Sequence, residues 1–316
     1  MTPALLMLSA WAIEATFGWP HWLFRLIRHP VVWFGALVGL IERALNRLHW
    51  PYAVRYLLGA LTSLTTIFIA VSFACFVELG LPDGWPGFAV EAVLASSLIA
   101  SRSLYQHVES VARPLLKGEM DAARSAVSMI VGRNPDQLDE AGIARASIES
   151  LSENASDGVI APLFWGALFG LPGIAGYKAV NTLDSIIGHK SERFAAFGGF
   201  AARLDDFASL IPARLTGVLL IAVSGVSRSF GVMVRDAGKH RSPNAGWPEA
   251  AMAGAIDVRL SGPRTYGDRI TEEPWLNAGA RDPDASDISR ALSLYVKAMI
   301  SAATLLAVAS MLQAGL

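Results

Sequence analysis

From Leu57 to Val77 the chain reads "LLGALTSLTTIFIAVSFACFV", with no charged side chain. That is about the ~20 residues a helix needs to cross a ~30 Å hydrocarbon core. In hydrocarbon every backbone polar group must be satisfied within the protein, which leaves helices or closed barrels. A second run, Ala291 to Leu316, is broken only by Lys297. Gly87 to Ser101, which holds Glu91, is shorter, and Pro3 to Ile13 and Pro30 to Ile41 are shorter still. The composition agrees: 17% of residues are charged and mean hydropathy is +0.41, against roughly a quarter charged in soluble domains. A net charge of -1 leaves no electrostatic footprint for nucleic acid. Cys75 lies inside the first run and reads as a buried, inert thiol. Met1 to Ile13 has no basic leader, so no cleaved signal peptide is expected.

Lys and Arg are absent between Arg55 and Arg102 and again after Lys297. By the positive-inside tendency, "ELGLPDGWPG" and the C-terminus face outward, and the basic stretch Arg25 to Arg55 faces the cytoplasm. Full crossings by both Gly158–Tyr177 and Phe207–Ser227 would export Lys178, Lys190, Arg193 and Arg203. These two segments are therefore expected to be re-entrant or shallow. The glycines at 158, 166, 170, 173 and 176, with Pro162 and Pro172, fit broken helices lining a cavity. The fold class expected is an all-α, polytopic integral membrane protein with about 4–6 embedded helices in one domain, 1–316. More polar cytoplasmic segments cover about 102–157 and 228–290. In them "GRNPDQLD" reads as a turn, Arg235 to Asp287 as loop with short helices, and no strand alternation is evident.

Polar residues crowd both ends of the uncharged stretch Gly158–Tyr177. Arg145, Glu149, Glu153 and Asp157 follow one another at i, i+4, one helical row of three carboxylates with a basic head. Such a row is ordinarily a solvated face with one ion pair, but ionisable groups entering a membrane are costly and usually functional. Past the stretch, Lys178, Asn181, Asp184 and Ser185 place a cation, an amide and a carboxylate together. These suit a phosphate held with Mg²⁺, which takes one or two protein carboxylates and fills its shell with water and phosphate oxygens. Asn-x-x-Asp occurs at both ends, Asn154–Asp157 and Asn181–Asp184.

In "FAARLDDFASLIPARLTG", Arg203, Asp205, Asp206 and Arg214 lead into another apolar run. One aspartate is expected at a site and the other against an arginine, or Asp205 caps a helix starting near Asp206. In "GKHRSPNAGWPEAAMAGAI", the turn Ser242, Pro243, Asn244, Gly246 offers backbone N–H groups to an anion. A lone His240 is more often structural. No phosphate-binding glycine loop, dinucleotide fingerprint, zinc spacing or nucleophile elbow is present.

Taken together, "HPVVWFGALVGLIERALNR", "GRNPDQLDEAGIARASIESLSENASDGVIAPLFW", "PGIAGYKAVNTLDSIIGHK", "FGGFAARLDDFASLIPARLTG" and "RSPNAGWPEAAMAGAIDVRLSGPRTYG" resemble the CobD/CbiB membrane proteins of cobalamin biosynthesis, the adenosylcobinamide-phosphate synthases. The resemblance covers nearly the whole chain in order. The sequence departs from the family pattern at Glu14 (Asp in the family), at Gly18-Trp19-Pro20 (Gly-Asp-Pro), at Asn134 (Asp) and at Ser209 (Asn).

The resemblance implies an acid–amine ligase that uses ATP and Mg²⁺. It would join adenosylcobyric acid to (R)-1-amino-2-propanol O-phosphate, or to the free amino alcohol, from the cytoplasmic face of the inner cell membrane. Neighbouring late-pathway membrane enzymes are the expected partners. On that reading Glu149, Glu153, Asp157 and Asp184 are catalytic, as Mg²⁺ ligands (Glu153, Asp157, Asp184) or base. Lys178, Lys190, Arg203 and Arg214 hold phosphates, Asn154, Asn181 and Asn244 orient substrates, and Asp205, Asp206 and Ser242 complete the binding set. The two polar ends of the apolar segment would then meet at one cytoplasm-facing cleft. Two other readings are weighed: a UbiA-like prenyltransferase or alcohol phosphotransferase, which usually carries repeated aspartates within one motif, and a non-enzymatic AmpE-like sensor or transporter.

Overall fold

A computed structural model describes residues 1–20, 22, 25–26, 28–130, 138–266 and 269–315. The turn expected in "GRNPDQLD" lies largely outside the described residues. Helices dominate, as the apolar runs require: α1 (Pro3–Phe17), α2 (Pro30–Leu45), α3 (Tyr52–Gly80), α4 (Trp85–Ser96), α5 (Ser101–Leu116), α6 (Met120–Ser128) and α7 (Glu140–Ala155). A π-helical turn, Ser156–Ile160, leads into α8 (Ala161–Ile187), followed by α9 (Gly199–Ala208), α10 (Leu210–Ser224), α11 (Arg228–Asp236) and α12 (Gly246–Ile256). Four short strands follow, β1 (Leu260–Ser261), β2 (Arg264–Tyr266), β3 (Arg269–Thr271) and β4 (Trp275–Leu276), and α13 (Ala285–Gln313) ends the fold. The strands pair antiparallel as β1–β4 and β2–β3. They correct the expectation of no strands: at two or three residues each, they are too short for alternation to show.

Caps explain several starts. Thr2 Oγ1 accepts from Leu5 N at 3.2 Å ahead of Pro3, and His29 Nδ1 accepts from Val31 N at 3.3 Å ahead of Pro30. Asp139 Oδ1 accepts from Gly142 N at 2.7 Å.

Among the described residues four helical stretches, some built of consecutive helices, are long and apolar enough to cross a membrane: Tyr52–Gly80, Trp85–Leu116, Glu140–Ile187 and Ala285–Gln313. A fifth is possible by length if α9 and α10, bent by 44° at Ser209, count as one span. The segment expected to be broken is broken: Gly170 has φ 66°, ψ −151°, two residues before Pro172. The stretch as a whole is nonetheless long enough to cross.

The chain divides into two compact units: 1–100 with 161–209 and 305–316, and 101–160 with 210–304. In the first, α1 lies against α4 and α8, while α2, α3 and α9 surround α8. Along α3 the buried residues after Arg55 are small, Gly59, Thr62, Ser63, Thr66, Ala70 and Ala74. Leu57, Leu61, Leu64, Phe68, Phe73 and Phe76 are exposed. Small residues turned inward and large apolar ones outward are how helices pack when the solvent is lipid. Val38, Leu183, Ile187, Phe197 and Ala201 form a core beside it. In the second unit α12 is buried along almost its whole length among α7, α10 and α11.

Candidate functional site

On the first unit, the C-terminal half of α8 carries Lys178, Asn181 and Asp184. Lys178 is buried, and an ammonium there requires nearby compensation. His29, at the start of α2, sits close enough to register it: burial and then the Lys178 charge hold the imidazole pKa below its usual value. Asn181 Nδ2 donates to Asp205 Oδ1 at 3.5 Å. Asp205 is a buried interior residue of α9, so the expectation that it caps a helix near Asp206 is corrected: α9 begins six residues earlier, at Gly199. Asp206 lies within charge reach of both Asp184 and Lys190, and His189 within reach of Asp184. Arg203 is exposed; it donates to the Tyr56 hydroxyl at 2.9 Å and stacks on that ring at 5.6 Å. Lys190 is exposed, in the segment between α8 and α9.

On the second unit, α7 holds the acidic row, but the row does not behave as a solvated face. Arg145 pairs with Asp282 rather than with Glu149 and stacks over Trp275 at 4.7 Å. Glu149 is buried and accepts from Ser261 N at 2.7 Å. Ser261 has φ 61°, a left-handed backbone that its carboxylate partner helps to hold. The expected i, i+4 ion pair is therefore corrected, and the row is only in part an exposed face. Glu153 and Asn154 are exposed, and Asn154 Nδ2 donates to Ser150 O at 2.9 Å. Asp157 falls in the π turn that follows α7 rather than in α7 itself.

Arg214, on α10, donates to Leu210 O at 2.7 Å and Asn244 Oδ1 at 3.3 Å, and stacks on Trp247 at 4.4 Å. The anion cradle expected at Ser242–Gly246 is largely closed by its own side chains. Ser242 N donates to His240 Nδ1 at 3.0 Å, and the Asn244 and Ala245 N–H groups both donate to Ser242 Oγ at 3.2 Å. What that turn presents is the Asn244 side chain beside Arg214. His240 lies buried 3.7 Å from Glu249.

The expected residues therefore fall into two sets. Lys178, Asn181, Asp184, Lys190, Arg203, Asp205 and Asp206 belong to the first unit; Glu149, Glu153, Asn154, Asp157, Arg214, Ser242 and Asn244 belong to the second. Of the expected metal ligands, Asp184 is on the first and Glu153 and Asp157 on the second. Among the described residues no group of three or more His, Cys, Asp or Glu could hold a metal ion. The Asp184–Asp206 pair with the Asn181 amide is an all-oxygen set, and it suits a hard cation that brings water and phosphate oxygens with it.

Sequence reasoning missed Tyr56 and Trp247, the aromatic supports of Arg203 and Arg214, and missed a network in which the exposed Arg193 meets the buried Glu42, Asn46 and Arg55. The i, i+4 pair of Glu42 in the apolar α2 and Asn46 at its C-terminal cap was a signal available for the network.

The family model described as CobD/CbiB protein matches residues 7–295. A protein named "Cobalamin biosynthesis protein CobD" from Rhodobacter capsulatus is 53% identical over 300 residues, 95% of each chain. Proteins of the same name from Brucella anthropi and Sinorhizobium fredii are 45% and 44% identical, over 93% and 96% of each chain. No solved structure matches.

Proposed function

The chain belongs to the CobD/CbiB family, and from that premise we propose that, within its role in cobalamin synthesis, it is the ATP- and Mg²⁺-dependent ligase joining adenosylcobyric acid to aminopropanol or its phosphate. The observation that best supports this reading is the grouping of Asn181, Asp184, Asp205 and Asp206 with Lys190 on α8, α9 and the segment between them. A carboxylate resists attack by an amine until its oxygen becomes a leaving group. Transfer of a phosphoryl group to it does that, and cations and metal must absorb the charge.

Asp184 and Asp206, with Asn181, would hold Mg²⁺. When bound, the ion would neutralise phosphate oxygens. Lys178, Lys190 and Arg203 would hold the phosphates, with Arg203 fixed by Tyr56 so that less side-chain freedom is lost on binding. On the second unit, Arg214, pinned between Trp247 and Asn244, would hold an anionic substrate group. Of the carboxylates there, Glu153 and Asp157 would serve as metal ligand or as base for the attacking amine. Glu149 is occupied by the Ser261 backbone and has a supporting role. The cytoplasmic face of the inner membrane is the compartment where ATP is available for this reaction.

Complementation tests the reading directly. A corrinoid auxotroph blocked at this step should grow on cobyric acid when it carries this chain and only on cobinamide when it does not. Growth on cobinamide alone in both strains would sink the proposal.

A further inference from the structure

Segment 188–198 joins α8 to α9 and carries His189 and Lys190, yet most of its fixed contacts lie elsewhere. Four charged or amide side chains tie it to α2 and α3. Arg193 Nε and Nη2 donate to Glu42 Oε1 and Oε2 at 2.9 and 2.8 Å. Asn46 Nδ2 donates to Glu42 Oε1 at 2.8 Å and to Arg193 O at 2.9 Å. Arg55 Nε donates to Asn46 Oδ1 at 3.0 Å, and its Nη2 reaches Glu192 O at 3.3 Å and also Arg193 O. Glu42, Asn46 and Arg55 are all buried. For Glu42, burial opposes ionisation, but the hydrogen bonds from Arg193 and Asn46 outweigh it and hold the carboxyl below its usual pKa.

Backbone approaches seat the same segment. A Cβ on Gly59 of α3 would lie 1.7 Å from Phe197 O, and one on Gly198 1.6 Å from Ile187 O. One on Gly188 would lie 1.9 Å from Asp184 Oδ1. The segment is therefore gripped at Arg193 and Phe197, and its near end runs along the Asp184 carboxylate.

We propose that Glu42, Asn46, Arg55 and Arg193 form a clamp that positions segment 188–198, so that Lys190 and His189 stand beside Asp206 and Asp184. Buried charge is expensive unless paired and hydrogen-bonded, and a bidentate Arg–carboxylate pair supplies direction as well as attraction. In an apolar bundle, such a network fixes one arrangement of an otherwise irregular stretch. The four are positioning residues. Their effect on turnover rests on the phosphate-binding reading of Lys190, whereas their grip on the segment does not.

Two measurements on the full chain in detergent separate these. The first is trypsin cleavage at the Lys190–Ser191 bond, followed by mass spectrometry. Glu42→Gln should speed it by about tenfold, since local opening sets cleavage when a segment is otherwise held. Glu42→Asp should recover part of the protection. An unchanged rate in Glu42→Gln overturns the clamp. The second is a double-mutant cycle on the KM for MgATP. Glu42→Gln should raise KM by about tenfold with kcat little changed, and the effect should largely vanish in a Lys190→Ala background, because coupled residues are not additive. Equal effects in both backgrounds would overturn positioning through Lys190. If the wild type shows no MgATP-dependent turnover, the functional reading falls, and the clamp is then judged by the cleavage rates alone.

Discussion

Exchanging Asp184 for Asn removes one negative charge from the group that holds Asp206, Asn181 and Lys190 while keeping nearly the same shape. The proposed ligase activity is expected to fall by on the order of 10²-fold or more, the range for losing a group that stabilises transferring charge. Membrane insertion should be unchanged in fractionated cells; wild-type turnover would remove Asp184 from the mechanism. Glu149→Ala should behave differently. It leaves the Ser261 N–H buried without its carboxylate acceptor, so roughly 1–3 kcal/mol of stability should be lost, seen as a lower melting temperature in detergent with kcat retained in the folded fraction.

Asp236 supplies a pH signature. It is fully buried and accepts from Arg235 at 2.9 and 2.7 Å, Lys239 at 2.7 Å and Asn277 N at 2.9 Å. The Arg235 hydrogen bonds, with those from Lys239 and Asn277, overcome burial and hold its pKa well below the ordinary value of 3.8. A depressed carboxylate contributes stability that is present above the unfolded value and lost as pH falls through the folded one. Melting temperature should therefore drop more steeply below about pH 4 in wild type than in Asp236→Asn, and parallel curves would count against the network. Which residues carry charge near the apolar segment was legible from spacing alone; across α8 and α9 Asn181 reaches Asp205, and Asp184 lies within charge reach of Asp206. The partners of Glu149 and Arg145 were not legible. Ser261 and Asp282 lie 112 and 137 positions away, a separation at which no periodicity operates.

At the scale of elements, helices and their main breaks followed from apolar run length and from Gly and Pro. The Gly170 interruption stands where the glycine-rich stretch announced it, whereas the π turn at Ser156–Ile160 has no such marker, since its residues would also suit an α-helix. Close approaches were equally hidden: "FGGF" does not reveal that Gly198 faces Ile187 O. Gly198→Ala forces a Cβ to within 1.6 Å of that oxygen, so the backbone must shift. A cost of about 1–3 kcal/mol is expected from overpacking of this kind. Gly39→Ala, inside α2 with nothing within 4 Å, should hold or slightly raise the melting temperature in the same scan; equal melting temperatures for the two variants would contradict the described seating of segment 188–198 on α8.

For the whole molecule, the division into two units was invisible in the sequence because neither unit is one stretch of chain. The polypeptide passes from one to the other at 100/101, 160/161, 209/210 and 304/305. Within the first unit, residues from the far end of the chain meet the near end. Thr2 Oγ1 lies 3.1 Å from Ser310 Oγ, Ala4 N donates to Gln313 Oε1 at 3.0 Å, and Gln313 Nε2 donates to Ala167 O at 3.0 Å. Synthesis runs in the other direction. The helix beginning at Pro3 leaves the ribosome well before Gln313 and cannot complete these contacts until Gln313 has emerged, so a segment made earlier waits for one made much later. A stop codon placed at Leu305 should therefore leave residues near the N-terminus open to proteolysis, although the cut lies some three hundred positions downstream.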